Sequence, residues 1–252
     1  MKIFVINLPK DKERKESIQH QADKLGLNVE FIEAVNGKDL SEDEINILSK
    51  GFHQYGMTHG VLGCSLSHIK IYEKMISDNI DIALILEDDA LLNENIIESY
   101  NLIENYNYKN KDKPNVYLLS IVNEYIDTFK TKLSTKYNLV NVIDADYTYG
   151  YMVNIKAANN LLNFLTPVWI EADKWRFMRE RGAIKLKAII PHVIDVTPLS
   201  EVSTLESDRS ITLEKRIAFF NEQYKNRNLY VKLRAFLWRI FVRSWVKRIK
   251  TM

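Results

Sequence analysis

The apolar positions in the first half of the chain follow two alternating patterns. Short runs of apolar, β-favouring residues predict buried strands, and apolar residues three or four positions apart predict helices. The predicted strands are 2–7, 29–32, 82–86 and 116–121, and the predicted helices are 11–25, a short one after Ser41, 65–77 and 94–106. This alternation predicts an α/β fold in which helices cover a mostly parallel sheet, with ligands bound along one edge.

The second half of the chain is less regular. It predicts a strand at 147–155, a helix at 156–165, a second helix from about residue 171 and a short strand at 188–190. Residues 51–63 hold four of the eight glycines and predict a loop. A stretch rich in Ser, Thr, Glu and Asp at 198–210 predicts a flexible connector. We therefore predict one domain over 1–200, followed by a connector and a helical tail over 201–252.

Composition adds few constraints on function. With 46% hydrophobic and 27% charged residues, the 252-residue chain has the balance of a globular protein. Cys64 is the single cysteine, which excludes an intramolecular disulfide and suits a reducing compartment. No apolar run has the roughly 18 residues that a membrane span needs, and the first apolar run is too short for a signal peptide. We expect a cytoplasmic protein.

Charge divides the chain into two unequal parts. Residues 211–252 contain eleven Lys or Arg and two Glu, which leaves 24 basic and 31 acidic residues in the rest. Apolar residues recur at helical spacing over 233–249 with basic residues on another face, the pattern of a helix that lies on an anionic membrane surface. The alternative is a helix packed on its own domain or on a second copy, in an oligomer. A nucleic-acid partner is not expected, because the basic residues are confined to the tail.

The strongest candidate site is an acidic run directly after a predicted strand. Glu87, Asp88 and Asp89 follow four apolar residues, at the sheet edge where ligands bind. Adjacent carboxylates favour a divalent cation, which binds oxygen ligands and the phosphates of a substrate. If the segment is extended, Glu87 and Asp89 face together and Asp88 turns aside or reaches a ribose. The alternative is that these acids cap the following helix.

Several blocks of the sequence resemble glycosyltransferase family 25, the lipooligosaccharide-type β-galactosyltransferases. The blocks are VINL at 5–8 with Asp11 and Arg14, FIEAVNG at 31–37, GVLGCSLSH at 60–68, ALILEDD at 83–89 and, more weakly, YGYMVNIKAA at 149–158. The resemblance implies a GT-A type fold with a mostly parallel nucleotide-binding sheet, a UDP-sugar donor and a Mn²⁺ or Mg²⁺ ion. It implies an inverting transfer of galactose, or next of glucose, to an oligosaccharide acceptor of the lipooligosaccharide or lipopolysaccharide type, which can be lipid-linked.

The resemblance also assigns roles to individual residues. It places Asn7 and Leu8 at the uracil, Arg14 at a phosphate, and Ser67 and His68 at the sugar or diphosphate. The base and ribose contacts fall on Ala34, Val35 and Asn36, and the metal and diphosphate contacts on Glu87, Asp88 and Asp89. Position 36 is Asn where the family often has Asp, so the contact there departs from the family pattern. For most of these residues the alternative is an ordinary structural role.

Three further residues are candidates for catalysis and metal binding. An inverting transfer needs a base that takes the proton of the acceptor hydroxyl. Asp173, and second Glu171, are the candidates, because they follow Pro167 in the segment where such folds often place the base. His192 follows Pro191 after a short strand and is a candidate late metal ligand. Surface carboxylates and histidines are common, so each also has an ordinary structural alternative.

Two other functions compete with glycosyl transfer. A nucleotidylyltransferase on a similar sheet would carry a glycine-rich phosphate loop after the first strand, and residues 7–10 contain no glycine. A non-catalytic, membrane-associated scaffold with the same fold would not need the acidic run, which is intact. The sequence therefore favours an enzyme.

Overall fold

The computed structural model describes residues 1–197 and 212–251. The strands are β1 (Ile3–Asn7), β2 (Glu30–Glu33), β3 (Ile82–Glu87), β4 (Ala90–Leu92), β5 (Asn115–Leu118), β6 (Glu124–Lys132), β7 (Asn138–Asp144), β8 (Gly150–Asn154), β9 (Lys185–Ile190), β10 (Ile194–Val196) and β11 (Arg248–Lys250). The helices are α1 (Lys12–Lys24), α2 (Glu42–Leu48), α3 (Phe52–Tyr55), α4 (His59–Ser77), α5 (Ile96–Tyr108), α6 (Ile155–Leu165), α7 (Trp175–Glu180), α8 (Leu213–Lys225) and α9 (Leu229–Leu237). No helix in these two ranges is both long and apolar enough to cross a membrane.

Nine strands form one mixed sheet in the order β11-β6-β7-β9-β5-β8-β3-β1-β2. The β2–β1, β1–β3 and β5–β9 pairs are parallel, and the other neighbours are antiparallel. A small ribbon of β4 and β10 lies beside the sheet. The predicted α/β fold is confirmed. The parallel part includes β1, β2 and β3, whose carboxyl ends meet at one edge, while β8 runs the other way between β3 and β5.

Both faces of the sheet are covered by helices, which explains the uninterrupted apolar runs of the central strands. Every residue of β1 is buried. Phe4 and Ile6 belong to the core cluster that contains residues of α4 and α6, while Ile3 and Val5 belong to the cluster on the opposite face, with residues of α1 and α5.

The predicted glycine-rich loop at 51–63 is instead mostly helical. Gly51 and Gly56 adopt positive φ angles at the two ends of the short helix α3. Helix α4 then begins at His59, six residues before its predicted start, and the side chain of Thr58 caps it by accepting from the amide of Val61. Gly51 and Gly56 do lie in turns at the two ends of α3, but the predicted loop wrongly included residues 59–63, which form the start of α4. Strands β6 and β7 were also not predicted, because most side chains of β6 are only partly buried and show no clear alternation.

The tail does not form one helix over 233–249. Helix α9 continues as a π-helical turn over Trp238–Val242, and Arg248–Lys250 then form β11. β11 pairs antiparallel with β6, and Arg248 binds Glu124 at 2.7 Å. The continuous-helix prediction is wrong at its end, because pairing with the exposed edge of β6 overrides helical periodicity. The predicted connector at 198–210 lies outside the described residues.

Helix α8 packs on the first 200 residues of the chain. The rings of Phe219 and Phe220 lie 4.4 and 5.6 Å from the ring of Tyr55. Arg216 on the same helix forms an ion pair with Glu171, whose side chain is only 3% exposed. The basic segment after residue 211 therefore contributes to the packing of the main core.

Candidate functional site

A pocket of about 490 Å³ lies at the carboxyl ends of β1, β2 and β3. This volume is in the range of small-molecule sites. Ten residues predicted to bind the donor line it together: Asn7, Leu8, Arg14, Ala34, Val35, Asn36, Ser67, His68, Glu87 and Asp88. Residues from five separate stretches of the chain thus meet in one place, as parallel strands that end at a common edge require.

Two glycines allow α4 to approach the segment that follows β2. A Cβ atom on Gly37 would lie 1.7 Å from the carbonyl oxygen of His59, and one on Gly63 would lie 2.4 Å from the carbonyl oxygen of Val35. Both contacts are with backbone, which cannot rotate away. The close approach lets Ser67 accept a hydrogen bond from the amide of Val35 at 2.8 Å. The glycines of the 31–37 and 60–68 blocks therefore hold one wall of the pocket in place.

The acidic run forms a corner and not an extended segment. β3 ends at Glu87, and residues 88–89 form a turn before β4. Asn7 donates to Asp88 Oδ2 at 2.8 Å, and Arg14 Nη1 lies 3.1 Å from Asp88 Oδ1 and 3.6 Å from Asp89 Oδ2. The alternation expected of an extended strand does not hold, because the turn directs Asp88 and Asp89 to the same arginine.

The environment of this corner disfavours the charged forms of Asp88 and Asp89. Burial, followed by the charges of Glu87 and Asp88, raises the pKa of Asp89 to about 7, although Arg14 opposes the shift. Burial also raises the pKa of Asp88, against the hydrogen bonds from Asn7 and Arg14. For Arg14, burial alone would lower the pKa, but Asp88 and Asp89 outweigh it and raise the pKa. One arginine does not fully compensate three acids, so the corner favours a further cation.

His68 faces this corner from α4. Its side chain is fully buried, and Nε2 lies 3.6 Å from Glu87 Oε1 without a hydrogen-bond partner among the described residues. Nδ1 is hydrogen-bonded to the hydroxyl of Tyr151 at 2.8 Å, which is in turn bonded to the hydroxyl of Tyr72 at 2.7 Å. Thr148 donates a hydrogen bond to Glu87. The tyrosines fix the imidazole ring and leave Nε2 directed at the carboxylate.

Ligand atoms for a divalent ion are present in this corner. One ligand atom each of Cys64, His68 and Glu87 lie within 4.8 Å of one another. Asp89 Oδ1 is buried and has no hydrogen-bond partner within the described ranges. Carboxylate oxygens with an imidazole nitrogen suit Mn²⁺, and carboxylates alone suit Mg²⁺. Of the predicted metal ligands, Glu87 belongs to this cluster, where His68 supplies the nitrogen that was expected from His192, whereas Asp89 does not line the pocket.

His192 is not brought to the acidic corner. It comes two residues before Ile194, which pairs with Leu92, whereas Val196 pairs with Ala90 beside Asp89. The antiparallel register therefore places His192 at the end of the ribbon away from Asp89. Burial lowers the pKa of His192, against the charge of Asp195. The residue next to Asp89 is Thr197, whose amide donates to the Asp89 carbonyl at 2.8 Å.

Glu171 and Asp173 do not line the pocket, although their segment contacts α4. The amide of Ala172 donates to Ser65 Oγ at 3.2 Å. Glu171 pairs with Arg216 and lies 3.5 Å from Lys174, and Asp173 lies 3.4 Å from the same lysine. The side chain of Asp173 is 12% exposed, against 3% for Glu171. Glu171 is thus held in a buried ion pair, and Asp173 is the more accessible of the two.

Sequence reasoning missed several residues of the pocket. Lys10, Lys12 and Lys38 line it together with Gly60 and Cys64. The available signal for the first two lysines was their position between β1 and Arg14, at the same ligand-binding edge. Cys64 lies one helical turn before His68, on the same face of α4.

The family model "Glycosyltransferase family 25 (LPS biosynthesis protein)" matches residues 1–175. A "Glycosyltransferase 25 family member" of Aedes aegypti is 41% identical over 95 residues, covering 34% of this chain and 16% of the relative. A "Glycosyltransferase 25 family member" of Drosophila melanogaster is 29% identical over 175 residues, covering 64% of this chain and 27% of the relative. "Procollagen galactosyltransferase 2" of Homo sapiens is 24% identical over 177 residues, also covering 64% and 27%.

The matched segments span between 16% and 27% of the length of these three relatives. A solved structure, provisionally described as a glucose-1-phosphate thymidylyltransferase of Bacillus anthracis, has a TM-score of 0.41 and 13% identity, and the match covers 86% of this chain and 95% of that one. The family match covers well over half of the chain and contains the pocket and the acidic corner, and by this match the chain belongs to glycosyltransferase family 25.

Proposed function

We propose that the chain is a metal-dependent, inverting hexosyltransferase that uses a UDP-sugar, galactose first and glucose next. The observation that carries the proposal is the meeting of ten predicted donor residues in one pocket beside the acidic corner. The relatives named procollagen galactosyltransferase support galactose as the first choice. A nucleotidylyltransferase is not favoured, because the family match is to glycosyltransferases and residues 7–10 contain no glycine.

The lining of the pocket suits a nucleoside diphosphate. In the proposed complex the uracil and ribose lie against Leu8 and the 34–36 segment. The diphosphate lies toward the cations that line the same pocket, which are Lys10, Lys12, Arg14 and Lys38. Cations near phosphate oxygens form charge-assisted hydrogen bonds, which are the stronger class. Ser67 holds the backbone at Val35, so it positions the base pocket without touching the sugar.

The proposed metal ligands are Glu87, Asp89 and His68. When bound, a Mn²⁺ or Mg²⁺ ion neutralises charge on the departing diphosphate. Asp88 has a positioning role in this proposal, because one of its oxygens accepts from Asn7 and the other pairs with Arg14. It keeps Arg14 directed into the pocket, where the guanidinium faces the phosphates.

We propose Asp173 as the base that accepts the proton of the acceptor hydroxyl. Glu171, the second candidate, is held by Arg216 and Lys174 in the interior, which ties up its oxygens. Asp173 is more exposed and belongs to the segment that contacts α4 next to Cys64. An acceptor bound between this segment and the pocket would present its hydroxyl to Asp173.

The proposed acceptor is a lipooligosaccharide-type or other lipid-linked oligosaccharide. The support is a row of exposed apolar side chains on α9 and the residues after it, namely Leu233, Leu237, Ile240, Phe241 and Trp245, among basic residues. Such a surface suits the headgroup region of an anionic leaflet. We accordingly propose a cytoplasmic protein associated peripherally with the inner face of the membrane.

Calorimetry with UDP, UDP-galactose and UDP-glucose, in Mn²⁺ and in excess EDTA, tests the proposal. We expect binding in Mn²⁺ that is lost in EDTA, and slow release of UDP from the preferred sugar nucleotide. Asp89→Ala should lose both, while Asp112→Asn, an exposed acid outside the pocket, should behave as the wild type. Equal binding of UDP in EDTA would refute the metal part, and no binding of any UDP compound would refute the whole.

A further inference from the structure

A second and larger cavity, of about 750 Å³, lies between the sheet and the tail. Its walls are the first residues of β5 and β9, part of β7, helix α7, and the segment from α9 to Arg243. β3, β5 and β9 point the same way, because β8 pairs antiparallel with both β3 and β5 and β9 is parallel to β5. The donor pocket lies at the carboxyl end of β3, and the cavity lies at the amino ends of β5 and β9. The two sites are thus at opposite edges of the sheet.

The lining of this cavity is strongly cationic. It contains ten Lys or Arg side chains and one carboxylate, that of Glu180. Glu180 already interacts with three of the arginines: Arg176 Nε lies 2.8 Å away, and Arg227 and Arg179 contact it at 3.7 and 3.8 Å. Arg176 also lies 3.8 Å from Asp144, so these two acids face three guanidinium groups and positive charge remains in excess.

The remaining cations have little compensation from the described part of the chain. Arg234, Arg239 and Arg243 have no carboxylate within 4.0 Å among the described residues. Burial, and then the neighbouring charges of Arg176 and Arg234, lower the pKa of Arg179 despite Glu180. An excess of positive charge in a concave site raises the local concentration of anions.

The other half of the lining is apolar. Ile126, Val142 and Leu186 come from the sheet, and Phe236 and Trp238 come from the tail. A free inorganic anion would leave these surfaces in contact with water. A ligand with a charged head and a short apolar stretch behind it matches both halves.

The segment from α9 to Trp245, most of which forms one wall of the cavity, also carries the exposed apolar row on its outer side. Leu233 is 52% exposed, Ile240 48% and Trp245 81%, whereas Val231 and Arg234 are directed into the cavity. Helix α9 therefore separates a cationic cavity from a surface suited to a bilayer. A molecule that passes from the bilayer into the cavity would be a single lipid.

From these observations we propose that the cavity binds one phosphate-bearing membrane lipid, with its phosphate among the arginines and the first carbons of its chain against Phe236 and Trp238. Binding here would fix how the protein sits on the leaflet, in addition to general attraction of the basic tail. The proposal does not depend on the sugar nucleotide, because the donor pocket is at the other edge of the sheet.

Calorimetry with monomeric dihexanoyl phosphatidic acid tests the cavity apart from any membrane surface. The comparison probes are dihexanoyl phosphatidylcholine, inorganic phosphate and a short single-stranded oligonucleotide. We expect one binding site for the phosphatidic acid and much weaker binding of the others. Equal affinity for inorganic phosphate would overturn the lipid assignment, as would tighter binding of the oligonucleotide.

Two variants with the same change of charge locate the site. Arg234→Gln with Arg239→Gln removes two cations of the cavity, and Lys215→Gln with Lys225→Gln removes two exposed cations of α8 outside it. We expect the first pair to weaken phosphatidic acid binding about 30-fold, because each substitution removes one basic contact worth about fivefold in affinity. The second pair should leave the binding unchanged. Equal losses in both pairs, or none in the first, would overturn the proposal.

Folding controls keep the outcome clear. Both variants should melt as the wild type does and bind UDP equally well. If the first pair unfolds, Lys187→Gln removes a cation from the sheet side of the same cavity, at a position whose pKa is lowered by burial and then by Lys113. Unchanged lipid affinity in that variant would also count against the cavity. Loss of UDP binding with lipid binding intact would affect the proposed function alone.

Discussion

Replacing Asp89 with Asn should stabilise the metal-free protein while abolishing its response to Mn²⁺. Asp89 is buried beside Glu87 and Asp88, and one of its oxygens has no hydrogen-bond partner in the described structure. Keeping this carboxylate charged in the folded protein lowers the free energy of unfolding unless a cation is bound beside it. Asn has nearly the same shape and removes the charge.

The size of the effect follows from the pKa of Asp89. Its rise from 3.8 to about 7 corresponds to at most about 4 kcal/mol, at about 1.4 kcal/mol per pKa unit. A buried amide without a partner offsets part of this by about 1–3 kcal/mol, so we expect a net gain of about 1–3 kcal/mol near pH 8.5.

The sign of the pH dependence is fixed by the direction of the shift. Because the folded-state pKa lies above the unfolded value, Asp89 favours folding in its protonated form. Its contribution is fully present below about pH 3.8 and is lost as the pH rises through about 7. The advantage of Asp89→Asn should therefore shrink steadily as the pH falls from 8.5 to 5.

Urea unfolding at these two pH values, with EDTA and then with Mn²⁺ and UDP, measures both effects. With metal and nucleotide the wild type should gain stability, because they bind only the folded state, and the variant should not. The order of stability would then reverse. A variant that is less stable than the wild type at pH 8.5 in EDTA, or an advantage that does not change with pH, would refute the reasoning.

Three further predictions concern other parts of the molecule. Arg216→Ala leaves Glu171 buried with Lys174 as its remaining cation and should cost about 3 kcal/mol in urea unfolding; adding Glu171→Gln should recover much of the loss. Asp173→Asn should slow transfer by about 10²- to 10⁴-fold in a turnover assay with UDP affinity unchanged, and a smaller loss would place the base elsewhere. Gly63→Ala would bring a Cβ within 2.4 Å of the Val35 carbonyl, so calorimetry should show weaker UDP binding. Gly182→Ala, strained by a φ of +81° but outside the pocket, should lower stability and leave UDP binding unchanged.

The sequence was most informative where burial and backbone chemistry act locally. The runs around Val5 and Leu84 are buried on both faces of the sheet, so their apolar character has one explanation. The residues that line the pocket could be grouped in advance, because each follows such a strand or belongs to a family block. The capping box of Ser41 and Glu44 begins α2 as the sequence indicates.

The remaining features depend on partners distant in the sequence. The sequence around His192 does not predict the β4–β10 register, which places His192 away from Asp89. The sequence around His68 likewise does not predict that its ring faces Glu87. The turn after β3 sends Asp88 and Asp89 to the same arginine, which no pattern of alternation contains. The end of the tail has helical periodicity, but it pairs with a strand more than a hundred positions earlier, and local propensity cannot anticipate that competition.

The pairing of β11 with β6 has a consequence for how the protein is made. Arg248 binds Glu124, 124 positions earlier, so β6 has no neighbour on its outer side until the ribosome has completed residues 248–250. Contacts of such sequence separation form slowly, and an open strand edge invites pairing with other chains. A nascent chain thus passes through an interval in which β6 has been made but its outer edge is still open to pairing with other chains. Its yield in a cell should depend on translation rate and chaperone supply more than on the stability of the finished fold.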